Sequence, residues 1–239
     1  MTFTLIDSSG VPYESEQPGT LGGHRGNRVY GRLDCGGAQR WIERGHYVAQ
    51  RVFFGDEATA IAAGYRPCAN CMPREYAAWK QSRADRVFSI HHSPVGPLTL
   101  SGDADAVTGL AFGESVADGW SRDDERFARE RSELDEYFAG ERTEFGFALR
   151  LEGSPFQRRV WEALRAIPYG TTTTYGELAE AIGSVGGARK VGSANARNPI
   201  AIAVPCHRVI GANGKLVGYG GGLDTKRDLL ALEGALLAV

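Results

Sequence analysis

The sequence predicts a mixed α/β protein of three consecutive units: a small metal-binding module at 1–85, a small α/β unit at 86–152 and a mainly helical unit at 153–239 that carries a helix-turn-helix. Three observations lead there. A Cys-x-x-Cys pair, Cys68 and Cys71, follows a short strand-and-helix pattern and is preceded by a single earlier cysteine, Cys35. Between 87 and 112, β-prone apolar runs are separated by turn residues, which is the signature of paired strands. After 153, two short helical patterns separated by glycines lead into Ile202-Ala203-Val204-Pro205-Cys206-His207-Arg208-Val209-Ile210, two apolar runs around a proline, a cysteine and a histidine.

In chain order, residues 1–27 are rich in Gly, Ser and Pro without clear periodicity and read as a mostly irregular arm. A strand is expected near Val29–Leu33 and another at Arg51–Phe54. Asp56 is a good N-cap for a helix over Glu57–Ala63, and Gly64 a good stop. Zinc in a structural site takes four Cys or His ligands. Cys35, Cys68 and Cys71 supply three, and the fourth is expected at His46, with His24 and Asp34 as alternatives. A redox pair is the competing reading of Cys68 and Cys71. Polarity rises over Gln81–Arg86, where a linker is expected.

The second unit is expected to open with two strands around the turn Pro94–Pro97, followed by a strand at Val107–Phe112. A charged helix over Ser121–Ala139 would bury Phe127, Leu134 and Phe138, and Phe145–Leu151 alternates as a further strand. His91 and His92 are neighbours on a strand, so they point to opposite faces and do not form a joint metal site.

The third unit begins at Ser154-Pro155, a cap and first-turn proline ahead of a stripe of Phe156, Val160, Trp161, Leu164 and Ile167. Thr174-x-x-Glu177 has the form of a capping box opening a helix to Ile182. Gly183 breaks it, and a second helix over Ala188–Ala196 completes a helix-turn-helix. The run ending at Pro205 reads as a strand closing in a turn that holds the Cys206 thiol at the rim of a core. A thiol acts as nucleophile only as thiolate, and His207 is a base close at hand.

The order Ile167–Ala179, Ala188–Gly192, Ala196-Arg197-Asn198-Pro199, Pro205-Cys206-His207-Arg208, Val217–Leu223 and Leu230–Gly234 resembles the O6-alkylguanine-DNA alkyltransferases, over about the last 85 residues. The resemblance implies an RNase H-like α/β subdomain before a helical DNA-binding one. It implies direct alkyl transfer from O6-alkylguanine, and less efficiently O4-alkylthymine, to Cys206 in a single turnover without a cofactor. His207 would take the thiol proton through a water, Glu233 would orient and charge-stabilise His207, and Asn198 would hold the active-site turn. Glu233 was otherwise readable as a surface carboxylate on a last helix capped by Asp224. Tyr175 would crowd the flipped nucleotide, Arg189 would fill the vacated base stack, and Val209, Tyr219 and Gly220 would line the guanine pocket. At Gly220 the family often has a serine. Residues 35–71 resemble the metal-binding domain of the Ada repair proteins, with Gln39 where that family places its second cysteine. The implied metal is a structural zinc.

Charge and composition bound the function. Residues 153–239 carry ten basic and six acidic side chains, against 17 and 23 before them, so a locally basic face accompanies a net charge of −2. The expected partner is double-stranded DNA carrying alkylated bases. No run of about 18 apolar residues is present, so no membrane span is expected. The start of the chain lacks a signal-peptide pattern and four cysteines do not make a disulfide scaffold, so a cytoplasmic, monomeric protein is expected. Two rival classes are a damage sensor, which would lack the active cysteine, and a cysteine hydrolase, which would need no helix-turn-helix.

Overall fold

The computed structural model describes residues 2–8, 10–84 and 86–235. The chain divides into two compact units, one of Met1–Ala84 with Gly153–Phe156 and one of Asp85–Glu152 with Gln157–Val239. No helix among the described residues is long and apolar enough to cross a membrane.

The first unit contains strands β1 (Phe3–Ile6), β2 (Pro12–Ser15), β3 (Leu21–His24) and β4 (Val29–Arg32), helix α1 (Gly36–Glu43), strand β5 (Arg51–Phe54), helix α2 (Glu57–Ala62), strand β6 (Arg66–Pro67) and helix α3 (Pro73–Ala84). The strands form one sheet in the order β2-β1-β5-β3-β4-β6. The first 27 residues are therefore not an irregular arm: they supply three strands of this sheet. Four-residue strands are too short for their alternation to show in the sequence, and the glycines that suggested disorder make turns, as Gly19 does at φ 72°. Leu5 and Ile6 of β1 are buried, and β1 pairs antiparallel with β2 from Phe3–Ser15 to Ile6–Pro12. Ile6, Tyr30, Val52, Phe54, Ala60, Ala63, Tyr65 and Met72 form the core. Asp56 caps α2 as expected, its carboxylate accepting from Thr59 N–H at 2.7 Å, and Gly64 ends it at φ 80°. The linker expected over Gln81–Arg86 is helical as far as Ala84, because polar residues with good helix propensity continue α3; position 85 lies outside the described residues.

The second unit holds strands β7 (Val87–Ser93), β8 (Gly96–Gly102), β9 (Val107–Phe112) and β10 (Ser121–Arg122), then helix α4 (Ala128–Phe138). Their sheet order is β10-β7-β8-β9. His91 is buried and His92 exposed, on opposite faces of β7. The charged helix starts seven residues later than expected, because Ser121 and Arg122 pair with Val87 and Phe88 instead. Its buried stripe is Phe127, Leu134 and Tyr137, with Phe138 only half-buried. Glu130 and Glu133 are buried too, each held by an arginine four residues before it at 2.8 and 2.9 Å. The strand expected at Phe145–Leu151 reduces to a single bridge between Leu149 and Val107.

Helix α5 (Pro155–Arg165) is followed by strand β11 (Thr173–Thr174), helices α6 (Tyr175–Ala181) and α7 (Ala188–Asn195), strand β12 (Val209–Ile210) and helix α8 (Leu223–Leu232). Val160, Trp161 and Leu164 of α5 are fully buried, and the Trp161 indole N–H donates to Ala194 O of α7 at 2.9 Å. Thr174 and Glu177 make the full capping box at the start of α6. Strands β11 and β12 pair in parallel, Thr173 with Val209 and Thr174 with Ile210. That pairing ties the start of the helix pair to the segment just after Cys206. Trp161→Phe should lower stability by about 1–3 kcal/mol, since it strands a buried carbonyl and leaves space beside it. The check is a lower denaturant midpoint for the transition reported by near-UV circular dichroism.

Candidate active site

Cys206 opens a single 3-10 turn, Cys206–Arg208, directly after Pro205. The residues before it form a turn, not the expected strand. Ile202 stands at φ 67°, a left-handed conformation rare for a β-branched residue. The segment is held from outside: Ile200 makes one bridge with Leu110 of β9, with Leu110 N–H donating to Pro199 O at 2.9 Å and Ala201 N–H to Leu110 O at 2.8 Å. Asn198 holds it from inside. Its Oδ1 accepts from Ile200 N–H at 3.1 Å, and its Nδ2 donates to Val204 O at 2.7 Å and to Cys206 Sγ at 3.0 Å.

Burial pushes the Cys206 thiol up, against the pull of the Asn198 hydrogen bond and the charge of Lys226. The sulfur therefore rests as a thiol at neutral pH and needs a base to react. His207 is fully buried, and its Nε2 lies 2.8 Å from Glu233 Oε1. Burial lowers the imidazole's pKa although Glu233 works the other way, so the ring is neutral. Its Nδ1 is buried without a hydrogen-bond partner among the described residues.

Glu233 decides which nitrogen carries the proton. It is the C-cap of α8, which begins after Gly222; Asp224 is not the N-cap but pairs with Arg227 at 2.7 Å, since Gly222 at φ 89° makes the entry. Arg208 grips the Glu233 carboxylate with two nitrogens, Nε to Oε2 at 2.8 Å and Nη2 to Oε1 at 2.9 Å. Tyr137 of α4 donates its hydroxyl to Oε1 at 2.8 Å. Burial opposes ionisation of Glu233, but the bonds from His207 and Arg208 prevail and bring its pKa down to about 2. An ionised carboxylate can only accept, so Nε2 of His207 must be the N–H, and Nδ1 is left with a free lone pair.

Lys226 was not singled out from the sequence, nor were Arg208 and Tyr137 as partners of Glu233. Lys226 is fully buried on α8, and its Nζ donates to Val209 O at 2.6 Å and Val217 O at 3.0 Å. Burial lowers its pKa to about 8. A charged residue inside the stripe of an amphipathic helix was the available signal. The carbonyl of Val209, a residue expected to line the guanine pocket, thus accepts from Lys226.

The remaining expected residues cluster around this turn or on the helix pair. Tyr175 opens α6, and its hydroxyl accepts from Asn195 Nδ2 at 3.4 Å. Arg189 is exposed on the first turn of α7. The Tyr219 ring stands 5.5 Å from Phe112 and 6.4 Å from His207, with its hydroxyl buried and unpartnered among the described residues. Gly220 has open space where a side chain would stand, while a Cβ at Gly221 would collide with the Phe112 ring at 2.9 Å.

In the first unit, the sulfurs of Cys35, Cys68 and Cys71 lie within 4.8 Å of one another and form a candidate metal centre. His46, expected as the fourth ligand, is not in this group; its ring packs against Trp41 at 5.5 Å. All four cysteines are free thiols.

Two family models match the chain. The one described as 6-O-methylguanine DNA methyltransferase, DNA binding domain, covers residues 155–235, and the one described as 6-O-methylguanine DNA methyltransferase, ribonuclease-like domain, covers 87–151. The methylated-DNA–protein-cysteine methyltransferase of Mycolicibacterium paratuberculosis is 57% identical over 145 residues, 59% of this chain and 88% of the relative. That of Methanosarcina acetivorans is 50% identical over 153 residues, 62% of this chain and 98% of the relative. A crystal structure of Mycobacterium tuberculosis OGT in complex with DNA is 53% identical with a TM-score of 0.60, covering 62% of this chain and 93% of that one.

Glu233→Gln should destabilise the protein by about 3–5 kcal/mol at pH 7, because Arg208 is left buried without its counter-charge. Glu233 has a folded pKa of about 2, below its ordinary 4.5, so the stability it adds is present above pH 4.5 and lost as pH falls toward 2. Denaturation of both proteins across that window should show the gap between them closing.

Proposed function

The chain belongs to the methylated-DNA–protein-cysteine methyltransferase family, and we propose from that premise that it repairs DNA by moving the alkyl group of O6-alkylguanine, and more weakly of O4-alkylthymine, onto Cys206. The observation that carries this reading is the unpaired Nδ1 of a neutral His207, fixed by an ionised Glu233 one residue from the buried thiol of Cys206. The thiol gives its proton to Nδ1 through a bridging water. The sulfur then attacks the alkyl carbon. An S–C bond forms, the C–O bond breaks, and its electron pair stays on the purine oxygen. Glu233 steadies the imidazolium while it holds the proton, which then neutralises the purine anion. No further group in this account cleaves the thioether, so each molecule reacts once. The transfer uses no cofactor.

The target base is buried in a duplex and must be turned out of the stack before sulfur can reach it. Tyr175 presses on the turned-out nucleotide and Arg189 enters the gap. Val209, Tyr219 and Gly220 border the base. Asn198 keeps the sulfur aimed by holding three atoms of the same turn. Residues 86–152 brace the catalytic subdomain at 153–239, and the module at 1–85 is Ada-like, with a zinc on Cys35, Cys68 and Cys71. The protein acts as an intracellular monomer on double-stranded DNA.

Incubation with a duplex carrying one O6-[methyl-labelled]guanine should put one label per chain on Cys206, and none in Cys206→Ala. His207→Gln should slow the transfer about 10²–10⁴-fold, the range for losing a general base. Arg189→Ala should slow transfer from the duplex while leaving transfer from the free alkylated base unchanged. Multiple turnover, or label that never reaches protein, would contradict the reading.

A further inference from the structure

Among the described residues, no histidine or acidic side chain joins the three sulfurs of the first unit. Cys35 precedes α1, while Cys68 and Cys71 flank the turn between β6 and α3, and their sulfurs come within 4.8 Å of one another. The backbone is shaped around them. A Cβ on Gly31 would stand 2.6 Å from Cys71 Sγ and 3.0 Å from the Cys68 Cβ, so only glycine fits there. The main-chain N–H of Arg32 donates to Cys71 Sγ at 3.3 Å, the kind of bond that supports a metal-bound thiolate.

The other side chains considered as a fourth ligand stand outside this sulfur group and have contacts of their own. His24 Nδ1 accepts from Asn27 N–H at 3.0 Å, and its ring stands 4.4 Å from that of Tyr47. His46 packs on Trp41. Asp34 is paired with Arg32 at 2.6 Å. Gln39, one helical turn after Cys35, is exposed. Beside Cys35 and Cys68 lies a cavity of about 200 Å³, bordered also by His24, Trp41, Tyr47, Arg51 and Asn70.

From this arrangement we propose that zinc in the first unit is held by three thiolates, Cys35, Cys68 and Cys71, with its fourth coordination position facing the cavity and open to a small exogenous nitrogen or sulfur donor. The inference rests on the zinc reading above and goes past it: a closed four-ligand site is structural, whereas three protein ligands and one exchangeable position make a site where a small molecule can bind the metal. The spacing suits zinc. Bonds of about 2.3 Å at tetrahedral angles put sulfurs about 3.8 Å apart, inside the observed limit of 4.8 Å. The cavity is large enough for an imidazole or a two-carbon thiol and has aromatic walls and the guanidinium groups of Arg32 and Arg51 at its border.

Cobalt(II) substitution of the full-length, metal-stripped, reduced protein tests this. The expected result is one cobalt per chain, a thiolate-to-cobalt charge-transfer band, and d–d bands that shift when imidazole or 2-mercaptoethanol is added. Cys68→Ser should cut the charge-transfer absorbance by about one third, one thiolate of three. Cys206→Ser should leave the spectrum unchanged. One cobalt per chain with d–d bands indifferent to both donors overturns the open position and leaves the zinc reading standing. No cobalt bound overturns both. A loss of charge-transfer intensity in Cys206→Ser overturns the assignment of the three ligands.

Discussion

One buried carboxylate organises the catalytic half of the molecule. Glu233 is 4% exposed, yet it is ionised, because donors from three separate elements converge on it. Tyr137 comes from α4, His207 and Arg208 come from the turn that carries Cys206, and Gly170 N–H approaches from the segment after α5 at 3.4 Å. Alone, such a buried ion would cost several kcal/mol to desolvate; fully bonded, it becomes a fixed reference point. Arg208 is the decisive partner. Its two bonds add to that from His207 Nε2–H in keeping the carboxylate charged, and the carboxylate in turn fixes the His207 proton on Nε2 and leaves Nδ1 free.

The sulfur is positioned by a second, independent set of contacts. Asn198 bonds Ile200, Val204 and Cys206 within one turn, and Leu110 of β9 braces that turn from the sheet. Ile202 is forced into a left-handed conformation in between. Such a conformation persists only when its surroundings over-determine it, which these contacts do. The parallel pair β11–β12 then joins the residue before Tyr175 to the strand after the cysteine turn. Lys226 reaches the Val209 and Val217 carbonyls from α8. The α6–α7 helix pair and the buried Cys206 turn are thus linked through a few short bonds.

Much of this was legible in the sequence, and the failures have physical causes. The capping box at Thr174, the Asp56 cap and the stripe of α5 depend on local spacing, and local spacing is what a sequence displays. Cys206 and His207 stand out in the sequence as a thiol beside a base, Glu233 and Asn198 come from the family resemblance, and the structure brings these four together. Strands β1 and β3 pair with β5, tens of residues away, and β2 pairs only with β1; their own four-residue runs carry little signal in the sequence. The helix expected from 121 starts later because Ser121 and Arg122 pair with Val87 and Phe88, whereas of the strand expected at 145–151 only the Leu149–Val107 bridge forms. Lys226 went unread because a lysine among leucines looks like a surface residue until the carbonyls it serves are known. His46 was chosen as a metal ligand by residue type, but its ring is committed to Trp41.

The protonation state of one imidazole carries the account. Nitrogen-15 NMR of the His207 ring in the intact protein at neutral pH reads it directly. The geometry predicts a protonated Nε2 and a bare, pyridine-like Nδ1. A ring protonated on Nδ1, or on both nitrogens, would contradict it, because Cys206 would then have no base to receive its proton.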